Sequence, residues 1–251
     1  MSVNHVSIVI PCYQQEHYLR RCVGSCLPQM IPGDEIIVVI KPSSYGDQVA
    51  GHIRHMLLNM ACAFGVDLRV VEKDCGIAAA RNFGWQGMRN EWIKFLDADD
   101  LLLPLVLEQF RWLPIFSDFK VVFGGVLKQV DGRYSDFYDP PVPQVRVGIK
   151  RANPLLPSMT FARRSALEAV GGFSEQIGFE EDWDLWLKLY GKFGELTFAR
   201  LPFPVCYYWI STEERKQKVR DHSVPWTKPD GTEERIDVRE YFRRQYGANP
   251  V

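Results

Sequence analysis

The sequence predicts an α/β protein with a mostly parallel, doubly wound sheet. Short apolar runs at residues 6–10, 35–40 and 68–71 have the length and composition of buried strands. Between these runs, apolar residues recur at helical spacing over residues 19–27 and 49–60. Parallel strands need helical crossovers of this kind, and strands that are covered on both faces are apolar throughout.

The second half of the chain departs from this alternation. Residues 121–130 are predicted to form a strand with two glycines inside it, which is typical of a bend or a close backbone approach. Residues 131–147, rich in Pro, Tyr and Asp, are predicted to form a long irregular loop that lines a groove or acts as a lid. Helices are expected over residues 163–170 and from Glu180 onward.

Composition excludes several classes of protein. The 251 residues are 46% hydrophobic and 24% charged with a net charge of -1, which suits a globular enzyme and gives no electrostatic reason to expect nucleic acid. Six cysteines lack paired Cys-x-x-Cys spacing, so we expect reduced core residues in a cytoplasmic protein. No charged start leads into an apolar segment and no run is long enough for a bilayer, so neither a signal peptide nor a membrane span is expected.

Three carboxylates mark the end of the strand that is predicted to begin at Trp92. Asp97 ends its alternating pattern, and Asp99 and Asp100 follow directly. Ligands of open α/β sheets bind at the carboxyl edge, and carboxylates crowded there repel one another unless a hard cation or a hydrogen-bond donor intervenes. The stretch therefore indicates a divalent metal with a bound diphosphate. The alternative is a plain turn before a helix that starts near residues 104–107.

A second anion-binding feature precedes this strand. Residues 76–84 are rich in Gly and Ala, which lets a helix pack close to the sheet, and Arg81 projects from its first turns. Helix N-termini and guanidinium groups both favour anions, so a diphosphate contact is predicted, with a surface arginine as the alternative. The chain has no Gly-x-x-x-x-Gly-Lys-Ser/Thr loop and no Gly-x-Gly-x-x-Gly after a strand, which counts against a P-loop ATPase or a dinucleotide-dependent dehydrogenase.

Several motifs in a fixed order carry a family resemblance. They lie at residues 6–13, 35–39, 76–82, 95–100, 161–165, 171–173 and 181–187. In this order they resemble the family-two inverting glycosyltransferases of GT-A fold, over about residues 5–190. The resemblance implies a Rossmann-like GT-A domain over residues 1–210, with a nucleotide-binding half to about residue 120 and an acceptor-side extension after it, followed by a C-terminal extension over residues 211–251.

The resemblance also implies roles for particular residues. It assigns contacts with the nucleotide to Pro11, Tyr13, Glu16, Arg81 and Asp97, the last on the ribose side. Asp99 is the implied metal ligand. His222 lies in a polar loop, later in the chain than the histidine of many family members, and is predicted as a further metal ligand. Asp182, in the first turn of a helix, is the implied catalytic base, and the helix dipole is expected to keep it ionised.

The activity implied by the resemblance is transfer of a sugar from a nucleotide-diphosphate donor to an acceptor hydroxyl, with inversion and with Mn2+ or Mg2+ as cofactor. The acceptor is expected to be a saccharide, a lipid-linked molecule or another hydroxyl compound in surface polysaccharide or glycoconjugate assembly. Two alternatives stay open. One is a sugar-phosphate nucleotidyltransferase, which would be expected to carry a glycine-rich basic signature after the first strand, and the other is a catalytically silent homologue that binds a partner.

One segment departs from the family pattern, and the C-terminal tail lies beyond the resemblance. Many members have Asp-Asp-Gly-Ser after the second strand, with an acidic residue that reads the base, whereas residues 40–47 read Ile-Lys-Pro-Ser-Ser-Tyr-Gly-Asp. Either Lys41, Ser43 or Asp47 takes the place of this acidic residue, or the segment is a plain loop. Residues 233–246 are predicted to be helical, and this tail packs on the domain, pairs with a second copy as a homodimer, or rests peripherally on an anionic membrane surface.

Overall fold

The computed structural model describes residues 3–42, 47–112, 118–131, 133–194, 197–210, 223–228 and 230–248. His222 and Ser43 lie outside these ranges, so their predicted roles stay predictions. Within these ranges, no helix combines the length and the apolar character that crossing a bilayer requires.

Nine strands of the described chain form one sheet. They are β1 Val6–Cys12, β2 Glu35–Ile40, β3 Asp67–Glu72, β4 Trp92–Phe95, β5 Leu101–Leu102, β6 Val121–Val130, β7 Arg133–Tyr138, β8 Thr160–Arg163 and β9 Phe198–Ile210. Their order is β3-β2-β1-β4-β8-β6-β9-β5, with β7 paired to β6. Strands β1 to β4 pair in parallel, and every antiparallel pair includes a strand from beyond residue 120. The predicted α/β fold with a mostly parallel sheet is confirmed.

Helices follow most of the parallel strands, as the apolar spacing predicts. The α-helices of the described residues are α1 Leu19–Cys26, α2 Asp47–Phe64, α3 Ile77–Gln86, α4 Val106–Arg111, α5 Val142–Gly148, α6 Arg164–Val170, α7 Glu181–Phe193 and α8 Val238–Tyr246. Strands β1, β2 and β4 are buried along their whole length, which explains why their sequences are apolar without alternation. A separate antiparallel pair is formed by β10 Ser223–Thr227 and β11 Glu233–Asp237.

Two sequence predictions about the second half are wrong. The segment 131–147, predicted as an irregular loop, contains β7 and most of α5. Strand β7 is exposed over five of its six residues, so it lacks the apolar alternation that reveals a half-buried strand. The tail is not one helix either, because residues 233–237 form β11 and the helix begins at Val238, where the Asp237 side chain accepts a hydrogen bond from the Arg239 amide.

The cysteines follow the prediction only in part. All six are free, and Cys12, Cys22, Cys26 and Cys206 are buried as expected. Cys62 is exposed and Cys75 is half-buried, so these two are not core residues. The reason is position: Cys62 lies on an outward turn of α2, and Cys75 lies in the loop between β3 and α3.

Candidate active site

The turn after β4 brings the acidic residues to the carboxyl edge of the sheet. Beyond the last paired residues of β1 and β4, the Leu96 amide still donates to the Val9 carbonyl oxygen at 3.0 Å. The Asp100 amide then donates to the Asp97 carbonyl oxygen at 3.0 Å, which closes a tight turn. Asp97, Asp99 and Asp100 therefore lie together where the sequence places them.

The first two of these aspartates are held by hydrogen-bond donors. Asp97 Oδ1 accepts from Arg81 Nη2 at 2.7 Å, and the Asp97 amide donates to Ser158 Oγ at 2.9 Å. Asp99 Oδ2 accepts from Gln15 Nε2 at 2.5 Å. Gln15 thus supplies the donor that a crowded carboxylate requires, a role that no sequence motif indicated.

Asp100 has a different environment and a different role. It is fully buried, and its Oδ1 accepts a hydrogen bond from the Trp209 amide at 2.9 Å. Loss of hydration, followed by the charges of Asp99 and Asp97, raises the pKa of Asp100 well above its ordinary value. Its full burial and its hydrogen bond from the Trp209 amide fit a structural role for Asp100 within the turn.

Arg21 is a second residue that the sequence analysis missed. Its guanidinium carbon lies 4.4 Å from the ring centroid of Tyr18 and 4.4 Å from that of Trp209. Its Nη2 donates to the Asp99 carbonyl oxygen at 3.1 Å. Stacking between two rings fixes the guanidinium, so Arg21 braces the backbone of the aspartate turn.

The carboxylates that remain for a cation are Asp97 and Asp99. In the part of the chain that the structure describes, no three His, Cys, Asp or Glu side chains form a group able to hold a metal ion. Mg2+ typically binds through one or two carboxylates and completes its coordination with waters and substrate phosphates, and Mn2+ favours similar oxygen ligands. Two acids at a strand end therefore fit an ion that arrives with a diphosphate.

Arg81 joins the aspartate turn to helix α7. The residue is 2% exposed, so the alternative of a surface arginine is wrong. Nη2 donates to Asp97, and Nη1 donates to Glu181 Oε1 at 2.5 Å. These carboxylates accept hydrogen bonds from both terminal nitrogens, and the diphosphate contact stays a prediction. Because 100 residues separate Arg81 from Glu181, no local pattern reveals this link.

Asp182 lies in the first turn of α7 and is partly exposed. Loss of hydration, then the charge of Glu181, raises its pKa to about 7, against the opposing effects of Arg81 and a hydrogen bond from Asn153. Loss of hydration and a neighbouring like charge thus oppose the helix dipole, which the sequence analysis expects to keep this carboxyl group ionised. A carboxylate with a pKa near 7 is a better base than an ordinary aspartate.

Helix α7 is fixed by buried indoles. The Trp183 amide donates to Asp182 Oδ1 at 2.9 Å, which orients the carboxylate. Trp183 Nε1 donates to the Ile149 carbonyl oxygen at 2.5 Å, and Trp186 Nε1 donates to that of Leu155 at 3.0 Å. Both rings are in the core, so the start of the helix is held on a rigid support.

The tail packs against the same helix, which was the first of its three predicted placements. The rings of Trp183 and Phe242 are 4.4 Å apart. The fully buried Asp184 accepts from Tyr246 Oη at 2.5 Å and from Tyr241 Oη at 3.2 Å. Helix α8 is thereby attached to the first turn of α7, next to Asp182.

Replacing Tyr246 by Phe is expected to lower the free energy of unfolding by about 2 kcal/mol, since a buried carboxylate loses a hydrogen bond. Urea denaturation measures this effect. Tyr134→Phe, at a side chain that is 62% exposed, is the matched control and is expected to unfold like the wild type. Equal stability of Tyr246→Phe and the wild type would contradict the packing described for the tail.

Three of the five residues predicted to meet the nucleotide, Pro11, Tyr13 and Glu16, lie at the end of β1 or just after it. Pro11 is buried within the strand, and the Tyr13 side chain is 48% exposed beyond it. Glu16 is 7% exposed, and its Oε1 is buried without a hydrogen-bond partner. An unpaired buried carboxylate oxygen is costly, so this atom fits a site that accepts a hydrogen bond from a bound molecule.

Fold and site together define a GT-A-type α/β protein with an Asp-x-Asp turn at the carboxyl edge of its sheet. The structure is similar to that of S. aureus TarS 1-349 in complex with UDP-GlcNAc, with a TM-score of 0.63 and 19% identity, over 82% of this chain and 58% of that chain. It is also similar to the mannosyltransferase PcManGT from Pyrobaculum calidifontis in complex with GDP-Man and Mn2+, with a TM-score of 0.60 and 20% identity, over 83% and 57% of the two chains. These likenesses show the fold.

The sequence belongs to glycosyl transferase family 2, whose family description matches residues 7–139. An uncharacterized glycosyltransferase of Rickettsia felis is 26% identical over 200 residues, which cover 73% of this chain and 31% of the relative. The chain therefore spans less than a third of the length of that relative.

Proposed function

We propose that the protein is a metal-dependent, inverting glycosyltransferase that uses a nucleotide-diphosphate sugar. The observation that carries this proposal is the convergence of the Asp97–Asp99 turn and the Asp182 helix, which Arg81 links through Asp97 and Glu181. Family membership supports the reaction class. Two structural neighbours were solved with UDP-GlcNAc or with GDP-Man and Mn2+, which supports a nucleotide sugar as donor.

The donor side of the reaction is assigned to the sheet edge. Asp99, assisted by Asp97, would hold Mn2+ or Mg2+, and His222 is kept as a further proposed ligand. Such an ion neutralises the charge of a departing diphosphate. The nucleotide is assigned to Pro11, Tyr13, Glu16, Arg81 and Asp97, with the exposed Tyr13 ring as a stacking surface and the unpaired Glu16 oxygen as a hydrogen-bond acceptor.

The acceptor side is assigned to the first turn of α7. Asp182 accepts the proton of an acceptor hydroxyl as that oxygen attacks the anomeric carbon, and the bond from this carbon to the diphosphate oxygen breaks. Attack opposite the leaving group inverts the configuration. The acceptor is a hydroxyl compound such as a saccharide or a lipid-linked molecule, and the transferred group is a hexosyl or related sugar.

A donor screen tests the proposal. Release of nucleoside diphosphate is followed for uridine, guanosine, thymidine and cytidine diphosphate sugars, with Mn2+, with Mg2+ and with excess chelator, and NMR reads the anomeric configuration of the product. We expect metal-dependent release for at least one donor and a product of inverted configuration. Release that persists in chelator would contradict the metal requirement, and retained configuration would contradict the base mechanism. No release from any of the donors would contradict the proposed activity and favour the catalytically silent homologue.

A further inference from the structure

Three parallel strands end in a row beside the predicted nucleotide edge. The hydrogen-bond ladder continues one residue past β2 and one residue past β3, because the Lys41 amide donates to the Cys12 carbonyl oxygen at 2.8 Å and the Lys73 amide donates to that of Ile40 at 2.9 Å. The residues that follow β1, β2 and β3 are thereby aligned across the sheet. Tyr13, Lys41 and Asp74 come to the same edge.

The Lys41 side chain lies between the other two. Its Nζ is 3.5 Å from Asp74 Oδ1 and 4.9 Å from the centroid of the Tyr13 ring. The Asp74 side chain is 82% exposed and the Lys41 side chain 35% exposed, so both polar groups are open to a ligand that stacks on Tyr13. The family's acidic base contact normally follows β2, where this chain has Lys41 instead.

The fold gives little reason for this pair. Ion pairs between exposed side chains contribute little to stability, because water screens them and ordering them costs side-chain entropy. Lys41 does, however, hold an acid from the β3–α3 loop beside the segment that follows β2, which is where the family pattern has its acidic residue. The pair therefore restores a carboxylate to the base edge of the site by a different route.

We propose that Asp74 and Lys41 together read the base of the donor nucleotide, an inference that rests on the proposed function. The carboxylate only accepts hydrogen bonds and the ammonium only donates them. Uracil and guanine both present a carbonyl oxygen beside a ring N–H, which matches Lys41 and Asp74 respectively. Cytosine and adenine present an amino group and a bare ring nitrogen at the same two positions, so both contacts become repulsive.

Because of this mismatch, the site should select nucleotides of uracil and guanine over those of cytosine and adenine. A site built around hydrogen bonds discriminates strongly against ligands that leave its polar groups unpaired. Guanine offers a second N–H, from its exocyclic amino group, for the other oxygen of Asp74, and uracil offers one N–H. The shared chemistry is the carbonyl beside a ring N–H, and direct comparison of UDP with GDP identifies which base the site takes.

The test is calorimetric titration, in Mn2+, of UDP, GDP, CDP, ADP and inorganic pyrophosphate into wild type and variants. Asp74→Ala is expected to weaken UDP or GDP roughly tenfold to hundredfold, with pyrophosphate unchanged because it has no base. Lys41→Ala is expected to show the same pattern. Glu72→Ala, which removes an exposed acid two residues before Asp74, is the matched control and should bind like wild type.

Three outcomes would overturn the inference. Equal weakening of all four nucleotides by Asp74→Ala and by Glu72→Ala would show a general effect of surface charge. Loss of pyrophosphate affinity in Lys41→Ala would make Lys41 a diphosphate contact. Unchanged UDP and GDP affinity in Asp74→Ala would place base reading elsewhere. In each of these cases the wild type still binds nucleotide, whereas a wild type that binds none of the nucleotides would contradict the proposed function itself.

Discussion

Replacing Asp182 by Asn is expected to lower turnover by roughly two to four orders of magnitude, while metal-dependent donor binding stays close to wild type. The amide keeps the shape of the side chain and its contact with the Trp183 amide, but it cannot accept a proton. Initial rates and donor titrations on the same preparation separate the two effects. An Asp182→Asn enzyme close to full rate would contradict the assignment of this base.

The raised pKa of Asp182 predicts how kcat/KM depends on pH. The pKa of Asp182 is raised to about 7, and a base must be ionised, so kcat/KM of the wild type is expected to rise with pH and to level off above about 7. Glu181 contributes a negative charge that raises this pKa, and Glu180 adds to it, whereas Arg81 and Asn153 lower it. Glu181→Gln should therefore move the inflection to lower pH.

Glu181→Gln also serves as the matched control for Asp182→Asn. It changes the neighbouring carboxylate into an amide, with a milder expected loss of turnover, because its side chain binds Arg81 rather than accepting a proton. An inflection of kcat/KM near pH 4 in the wild type would show that burial does not raise the pKa of the base. An inflection that Glu181→Gln leaves in place would assign the titration to another group.

Replacing Arg81 by Ala is expected to have the second large effect, which is a loss of stability. Arg81 is buried and neutralises Asp97 and Glu181, so its removal leaves two carboxylates without their partner. Breaking a buried ion pair typically costs about 3–5 kcal/mol, and we expect a loss of that size in the free energy of unfolding by urea.

Arg243→Ala is the control for this experiment. Arg243 pairs with Glu240 on the exposed face of α8, and its loss is expected to leave unfolding unchanged. The cost of Arg81→Ala should shrink when Glu181 is already Gln, because one of the two stranded charges is then absent. Strict additivity of the two substitutions would contradict the bridge between the aspartate turn and α7.

The first half of the chain was predicted well because its signals are local. Strands β1, β2 and β4 are buried on both faces and must therefore be apolar. Strand β7 was missed because it is exposed and carries no alternation, and β11 was missed because its charged residues resemble a solvated helix. Both strands are specified by their pairing partners, which periodicity does not record.

The chemistry of the site depends more on tertiary structure. The position of Asp99 follows from the strand that precedes it, so the sequence predicts it directly. The raised pKa of Asp182 depends on burial and on Glu181, and a helix-dipole argument considers neither of them. Arg81 contacts Glu181 across 100 residues of chain, and Asp74 meets Lys41 only because β2 and β3 are aligned in the sheet.

The most direct test of the central claim is calorimetric titration of UDP and GDP into the wild type and Asp99→Ala, in Mn2+ and in excess chelator. The claim is that the Asp97–Asp99 turn binds a nucleoside diphosphate through a divalent ion. We expect tight binding only for the wild type in Mn2+, and weak binding by Asp99→Ala under both conditions. Equally tight binding of either nucleotide by the wild type in excess chelator would contradict the account.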